Sequence, residues 1–262
     1  MKSLDNVLTS FRSISLGEMD SVKLMNRTDT KFVFSSSLIP EILDDLSDKY
    51  RVLEIEGKKL SYYNTTYFDT KRLKFYTQHH NGKLNRHKVR MREYVDSKIC
   101  FLEIKFKNNK GRTIKNRIKK KKMTEIFSDE SIVFIQKHTN ISSAELAPKL
   151  WNAFNRITLV NKSAKERITI DLNLGFRNED TNADVPELII AEVKQEKYNV
   201  QSDFIQVMRK WSIKPMRMSK YCIGSVLLNG DLKTNQFKED FKYNRFKEKT
   251  LTINKINYGI RA

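Results

Sequence analysis

Alternation is the feature that most constrains this chain. Successive side chains of a strand point to opposite faces, and at least five segments sort on that rule into one apolar and one charged face. Over 27–34, Arg27, Asp29 and Lys31 oppose Thr30, Phe32 and Phe34. Over 88–94, Lys88, Arg90 and Arg92 oppose Val89 and Met91. Over 101–107, Glu103, Lys105 and Lys107 oppose Leu102, Ile104 and Phe106. Arg167, Thr169 and Asp171 oppose Ile168, Ile170 and Leu172, and Glu192 and Lys194 oppose Ile189, Ala191 and Val193. One reading is an antiparallel sheet with helices on one side and water on the other. The predominance of cations on the charged faces favours a second reading. Like charges opposite one another on neighbouring strands repel, so a sheet gains by gathering them only where an anion neutralises them. A barrel with these faces inward would be a polar tunnel for a multiply charged anion.

Strand signals cover 28–34, 60–68, 87–94, 99–107, 113–119, 166–172 and 188–195. Helical signals cover 3–13, 37–50, 124–138, 142–154 and 202–211, and a last helix starts near Ser219. Ser142-Ser143-Ala144-Glu145 reads as a capping box for the fourth. Strands and helices mix without regular βαβ alternation, which predicts an α+β fold. The expected architecture is an antiparallel β-barrel or tunnel with helices packed on the outside. The expected division is a tunnel domain over 1–230 and a basic C-terminal extension over 231–262.

Fifty Lys and Arg against thirty-one Asp and Glu give a net charge of +19 over 262 residues, so an acidic partner is expected. No apolar run reaches the ~20 residues of a membrane helix, and the first residues show no secretory signal. Cys100 and Cys222 belong to no CxxC pair and suit a reducing, cytoplasmic compartment. There is no GxxxxGK[ST], GxGxxG, HExxH or Gly-x-Ser-x-Gly, and no two of the four histidines lie at i, i+4. An enzyme built from this sequence would work with Lys, Arg and carboxylates.

Seven segments in order then carry a resemblance: Arg27-x-Asp29-x-Lys31-Phe32, Tyr67-Phe68-Asp69-Thr70, Arg90-x-Arg92, Glu103-Ile104-Lys105, Arg167-x-Thr169-x-Asp171, Glu192-Val193-Lys194 and Ser219-Lys220-Tyr221. Together they resemble the VTC domain, the polyphosphate polymerase domain of the triphosphate tunnel metalloenzyme superfamily. The resemblance implies transfer of the γ-phosphate of ATP to a growing polyphosphate chain, with Mn2+ or Mg2+. It assigns phosphate binding and catalysis to Lys31, Arg90, Arg92, Lys105, Arg167 and Lys220. Ser219, Arg112, Arg117 and Lys194 would add substrate contacts, and Glu192 and Glu103 would hold the metal. The adenylate-cyclase and thiamine-triphosphatase branch carries Glu-x-Glu-x-Lys where this chain has Arg27-x-Asp29-x-Lys31, which disfavours the hydrolase reading.

The chemistry suits these residues. Phosphoryl transfer is catalysed mainly by positioning and charge stabilisation, and Arg offers phosphate a planar fork where Lys offers a point charge. Inorganic or nucleoside triphosphate hydrolysis in the same tunnel is the alternative activity. A non-catalytic polyphosphate or nucleic-acid binding protein is the alternative outside catalysis. The basic run Arg117–Lys122 suits a solvated loop, a nucleic-acid contact or a rim guiding polyphosphate. Residues 111–122 hold no aromatic side chain on which single strands could stack, which counts against nucleic acid.

Overall fold

The computed structural model describes residues 4–19, 27–234 and 252–255, the last as backbone. In chain order the elements are α1 (Leu4–Thr9), β1 (Ser13–Ile14), α2 (Leu16–Met19), β2 (Thr28–Ser35), α3 (Ile39–Leu46), β3 (Tyr50–Leu53), β4 (Ser61–Thr70) and α4 (Lys74–His80). Then come β5 (Arg86–Tyr94), β6 (Ile99–Lys107), β7 (Thr113–Lys120), α5 (Asp129–His138), β8 (Leu146–Asn161) and β9 (Glu166–Arg177). The chain continues through β10 (Thr181–Val185), β11 (Leu188–Gln195), α6 (Asp203–Lys210), α7 (Lys220–Leu228) and β12 (Thr252–Lys255). The fold is α+β with a mostly antiparallel sheet, as the mixed order of strands and helices predicts.

The chain divides into two units. The first comprises Met1–Tyr62, Phe154–Leu174 and Val185–Arg217. Its strand order is β1-β3-β8-β9-β11-β2, antiparallel except where β1 joins β3. The apolar parities expected for β2, β9 and β11 all face one core. Phe32, Phe34, Ile168, Ile170, Ile189, Ala191 and Val193 pack there with Ile42, Leu43 and Leu46 of α3 and Phe204 and Met208 of α6. Each side chain buried this fully contributes about 1.5–3 kcal/mol, which fixes which face of these strands turns away from the core.

The second unit comprises Tyr63–Ala153, Gly175–Asp184 and Met218–Ala262. Its strand order is β12-β10-β9-β8-β4-β5-β6-β7, and no pairing among the described residues closes it. Val89 and Met91 of β5 and Cys100, Leu102 and Ile104 of β6 bury against Phe134 and Ile135 of α5. The opposite parity is left for the polar face.

One helix is corrected. Ser142 does cap: its hydroxyl accepts from Ala144 N at 3.3 Å, and the Glu145 carboxylate accepts from Ser142 N at 3.2 Å. The cap starts only a short 3-10 turn, Ser143–Glu145, and the chain then enters β8. Pro148 lacks an N–H and disfavours helix in the residue before it. Leu150, Asn152 and Phe154 are buried at a spacing of two, the strand period. The short elements α2, α4 and β10 lie outside the predicted ranges, and β1 and β3 each begin at the last residue of a predicted helix. Within the expected basic extension, 252–255 form β12 on β10, and 235–251 and 256–262 lie outside the described residues. No described helix is long and apolar enough to cross a membrane.

Candidate functional site

In the second unit, antiparallel register places directly opposed residues on one face, so β5, β6 and β7 form cross-strand rows. Tyr67, Arg90, Glu103 and Arg117 make one row, and Lys88, Lys105 and Lys115 make the next. Thr65, Arg92, Phe101 and Lys119 make a third, and Arg86 stands opposite Lys107. This face of β5–β7 therefore presents nine cations (Arg86, Lys88, Arg90, Arg92, Lys105, Lys107, Lys115, Arg117 and Lys119) and one carboxylate, Glu103. Three lysines side by side are unfavourable in the sheet alone.

Glu103 is fully buried. Arg90 Nε donates to its Oε2 at 2.7 Å, Arg90 Nη2 lies 2.6 Å from the same oxygen, and Lys115 Nζ contacts Oε1. Burial opposes ionisation here, but Arg90 and Lys115 outweigh it and hold Glu103 well below the usual carboxylate range. Burial pushes the Lys115 ammonium down to about 8, with Glu103 pulling the other way. Arg92 is buried and donates to Thr65 Oγ1 at 3.1 Å, with its guanidinium 5.8 Å from the Tyr63 ring centroid. Arg117 stands 4.3 Å from the Phe101 ring centroid.

Helix α7 reaches the same face. Ser219 is its N-cap, accepting from Cys222 N at 3.4 Å, and Lys88 Nζ donates to Ser219 Oγ at 2.8 Å. Tyr221 stacks on Tyr67 at 5.1 Å and donates to Asp69 Oδ2 at 2.5 Å. Asp69 also accepts from Thr70, Phe75 and Tyr76 N at 2.7–2.9 Å, so it holds the turn into α4 as well as α7. Lys220 is the first residue of α7. Its cation at a helix start is unfavourable unless an anion binds there. Arg112 lies off the strands, in the exposed β6–β7 turn. The basic run divides by parity: Arg117 and Lys119 join the cationic face, while Lys120 turns away to Glu130 at 2.8 Å and Ser128 at 2.9 Å.

In the first unit, Asp29, Lys194 and Arg167 form one row and Lys31, Glu192 and Thr169 the next. Lys31 Nζ lies 3.2 Å from Glu192 Oε1, and Lys194 Nζ 2.6 Å from Oε2. Lys194 also donates to Thr169 Oγ1 at 3.1 Å, and burial pushes its ammonium down against the pull of Glu192. Asp171 is taken by Arg156, Nε to Oδ1 at 2.5 Å and Nη2 to Oδ2 at 2.8 Å. Lys31, Arg167, Glu192 and Lys194 thus share one face of this unit. Arg90, Arg92, Glu103, Lys105 and Arg117, with Ser219, share a face of the other. Charged residues on these faces outside the predicted site include Arg86, Lys88, Lys107, Lys115 and Lys119 in the second unit and Asp29, Arg156 and Asp171 in the first. Lys88 has the parity of Arg90, whereas Arg156 sits on β8, past the end of the predicted helix.

Among the described residues, no group of three or more His, Cys, Asp or Glu side chains could hold a metal ion by itself. A divalent ion shared with phosphate oxygens needs only one or two carboxylates. Glu192 fits that requirement, with 20% of its side chain exposed and a lysine ammonium beside each carboxylate oxygen.

Cation rows on a mostly antiparallel sheet, with a capped helix start beside them, define an α+β protein with strongly cationic strand faces. The VTC domain model matches residues 26–229, and the chain belongs to that family. No curated protein matches the chain. Among solved structures, it is similar to an adenylate cyclase candidate from Bacillus halodurans at 14% identity, covering 74% of this chain and 96% of that one, with a TM-score of 0.47. A second such candidate, from Vibrio parahaemolyticus, is 10% identical over 76% of this chain and 99% of its own, with a TM-score of 0.48. A candidate adenylyl cyclase from Hippeastrum, described as having a dominant triphosphatase activity, is 13% identical over 80% of this chain and 98% of its own, with a TM-score of 0.48. These likenesses bear on neither activity nor substrate.

Proposed function

We propose that the chain is a metal-dependent polyphosphate polymerase that transfers the γ-phosphate of ATP to a growing polyphosphate chain. The carrying observation is the face of β5–β7, where nine cations meet a single carboxylate that Arg90 and Lys115 already occupy. ATP and a polyphosphate end together bring more negative charge than one divalent ion cancels, and such a face suits that load.

In this reading Arg90, Arg92, Lys105 and Arg117 hold phosphate oxygens from the second unit, with Lys88, Lys115, Ser219 and Lys220 beside them. Lys31, Arg167 and Lys194 form a separate cationic face of the first unit that also suits phosphate. Arg112, at the exposed turn, steers the polymer. Each charge-assisted contact is worth about 1.5–3 kcal/mol. Removing one that acts in the transition state slows turnover about ten- to a hundred-fold. Glu192 would hold Mn2+ or Mg2+, which would supply positive charge against the charge that develops on the transferred phosphoryl group. Glu103, the second metal ligand that the resemblance implies, serves in this reading as the internal counter-charge that keeps Arg90 in place, because Arg90 and Lys115 already occupy its carboxylate. A triphosphatase would use the same cations. The pairing of Asp171 with Arg156 and of Asp29 with Arg27, 2.9 Å from Nε to Oδ1, favours transfer by removing carboxylates from metal binding.

Incubation with ATP and Mn2+, with the products run on a polyphosphate-stained gel, tests this reading. A phosphate ladder supports the polymerase; free phosphate alone identifies a triphosphatase; no product overturns both. Lys31→Ala and Glu192→Ala should each abolish turnover in a folded protein, and retained activity in either refutes that residue's role.

A further inference from the structure

The second unit holds a cleft of about 540 Å³ lined by none of the cations assigned to phosphate. Glu93 lines it, and by alternation points to the side of β5 opposite Arg92. Asn152, 2% exposed, also lines it. The Asn152 Nδ2 donates to Gly175 O at 2.9 Å and to Ala153 O at 3.3 Å, which sets the orientation of the amide. Its Oδ1 is left buried without a hydrogen-bond partner, and Asn182 Oδ1, also in the lining, shares that condition. An unmet buried acceptor is costly and rare, so two in one cleft point to a ligand that brings N–H donors.

The charge of the cleft narrows the choice. Glu93, Glu125 and Asp184 line it against one cation, Arg177, in a chain whose net charge is +19. Glu125 and Asp184 are exposed. Trp151 donates its indole N–H to Glu125 at 3.1 Å, and the Arg177 guanidinium stands 4.6 Å from its ring centroid, so this ring already attracts a cation. A nucleoside would bring hydroxyl and amino donors but no positive charge for three carboxylates. A linear polyamine brings several N–H donors and several positive charges at once, and the volume lies in the small-molecule range.

We propose that this cleft is a second ligand site, specific for linear polyamines of the spermidine class. Calorimetric titration of the full chain with spermidine, at low salt and without nucleotide, should show one saturable site. Glu125→Gln and Asp184→Asn, isosteric changes at exposed positions, should each weaken it about tenfold or more by removing a charge-assisted contact. Glu41→Gln, which removes the same charge from the start of α3, should leave affinity unchanged. The side-chain amide signals of Asn152 should shift in the 1H–15N spectrum on titration. Absence of saturable binding, equal affinity in all three variants, or an unmoved Asn152 signal would each overturn the proposal. So would saturable binding of adenosine that spermidine does not displace.

Discussion

Lys115 and Glu103 show how one contact sets the behaviour of a whole face. Lys115 loses its proton as the pH passes about 8, while its arginine neighbours stay charged. Affinity for tripolyphosphate should therefore be full at pH 7 and fall above pH 8, and Lys115→Arg should remove the fall; both are readable by titration calorimetry. The stability linkage runs the other way. An unfolded lysine titrates near 10.4, so between about 8 and 10 the unfolded chain binds the extra proton, and this group's contribution to stability rises with pH. Glu103→Gln leaves Arg90 without its buried counter-charge and should cost about 3 kcal/mol in urea unfolding. The same variant should keep its Mn2+ dependence, whereas Glu192→Gln should lose it. The parity that puts Lys88 on the face of Arg90 can be read directly from the sequence. The full burial of Glu103 cannot, because it depends on which strands flank β6.

At the scale of elements, the strands around the face were the most legible. The ranges 99–107 and 188–195 coincide with β6 and β11, because β-branched and aromatic residues alternate there with charges. β8 was illegible as a strand because its capping box is genuine and only Pro148 and the two-residue spacing after it contradict a helix. With β8 misread, Arg156 and its bond to Asp171 were hidden too. The short α4 has no capping signal of its own and depends on Asp69, which ends the preceding strand. Helix α7 is placed by its lack of a side chain at Gly224. A methyl group there would meet the Phe176 ring and come within 2.8 Å of Leu150 Cδ2. Gly224→Ala should destabilise the protein by about 1–3 kcal/mol in thermal unfolding, and should weaken triphosphate binding through displacement of Ser219. Ser219→Ala should cost about 1 kcal/mol through loss of the cap.

Over the whole molecule, charge dominates. A net +19, with nine cations on one face of β5–β7, attracts polyanions over distances that salt shortens, with a Debye length of about 10 Å at 0.1 M. Polyphosphate affinity should fall several-fold or more between about 0.05 and 0.3 M salt; an affinity insensitive to salt would argue that few of these cations touch the polymer. The α+β class and the family were legible because seven short segments keep their order along the chain. The division into two units was not, since each unit takes residues from three separate stretches of sequence.

Strand β7 ends its sheet, paired among the described residues with β6 alone. An open strand edge invites another molecule to add to it, and lysines there discourage the encounter. Lys115, Arg117 and Lys119 supply that protection, and they are among the groups that polyphosphate would neutralise. Long polymer at a charge-matching ratio should therefore turn a clear solution turbid as discharged edges meet, and excess polymer, by recharging each molecule negatively, should clear it again.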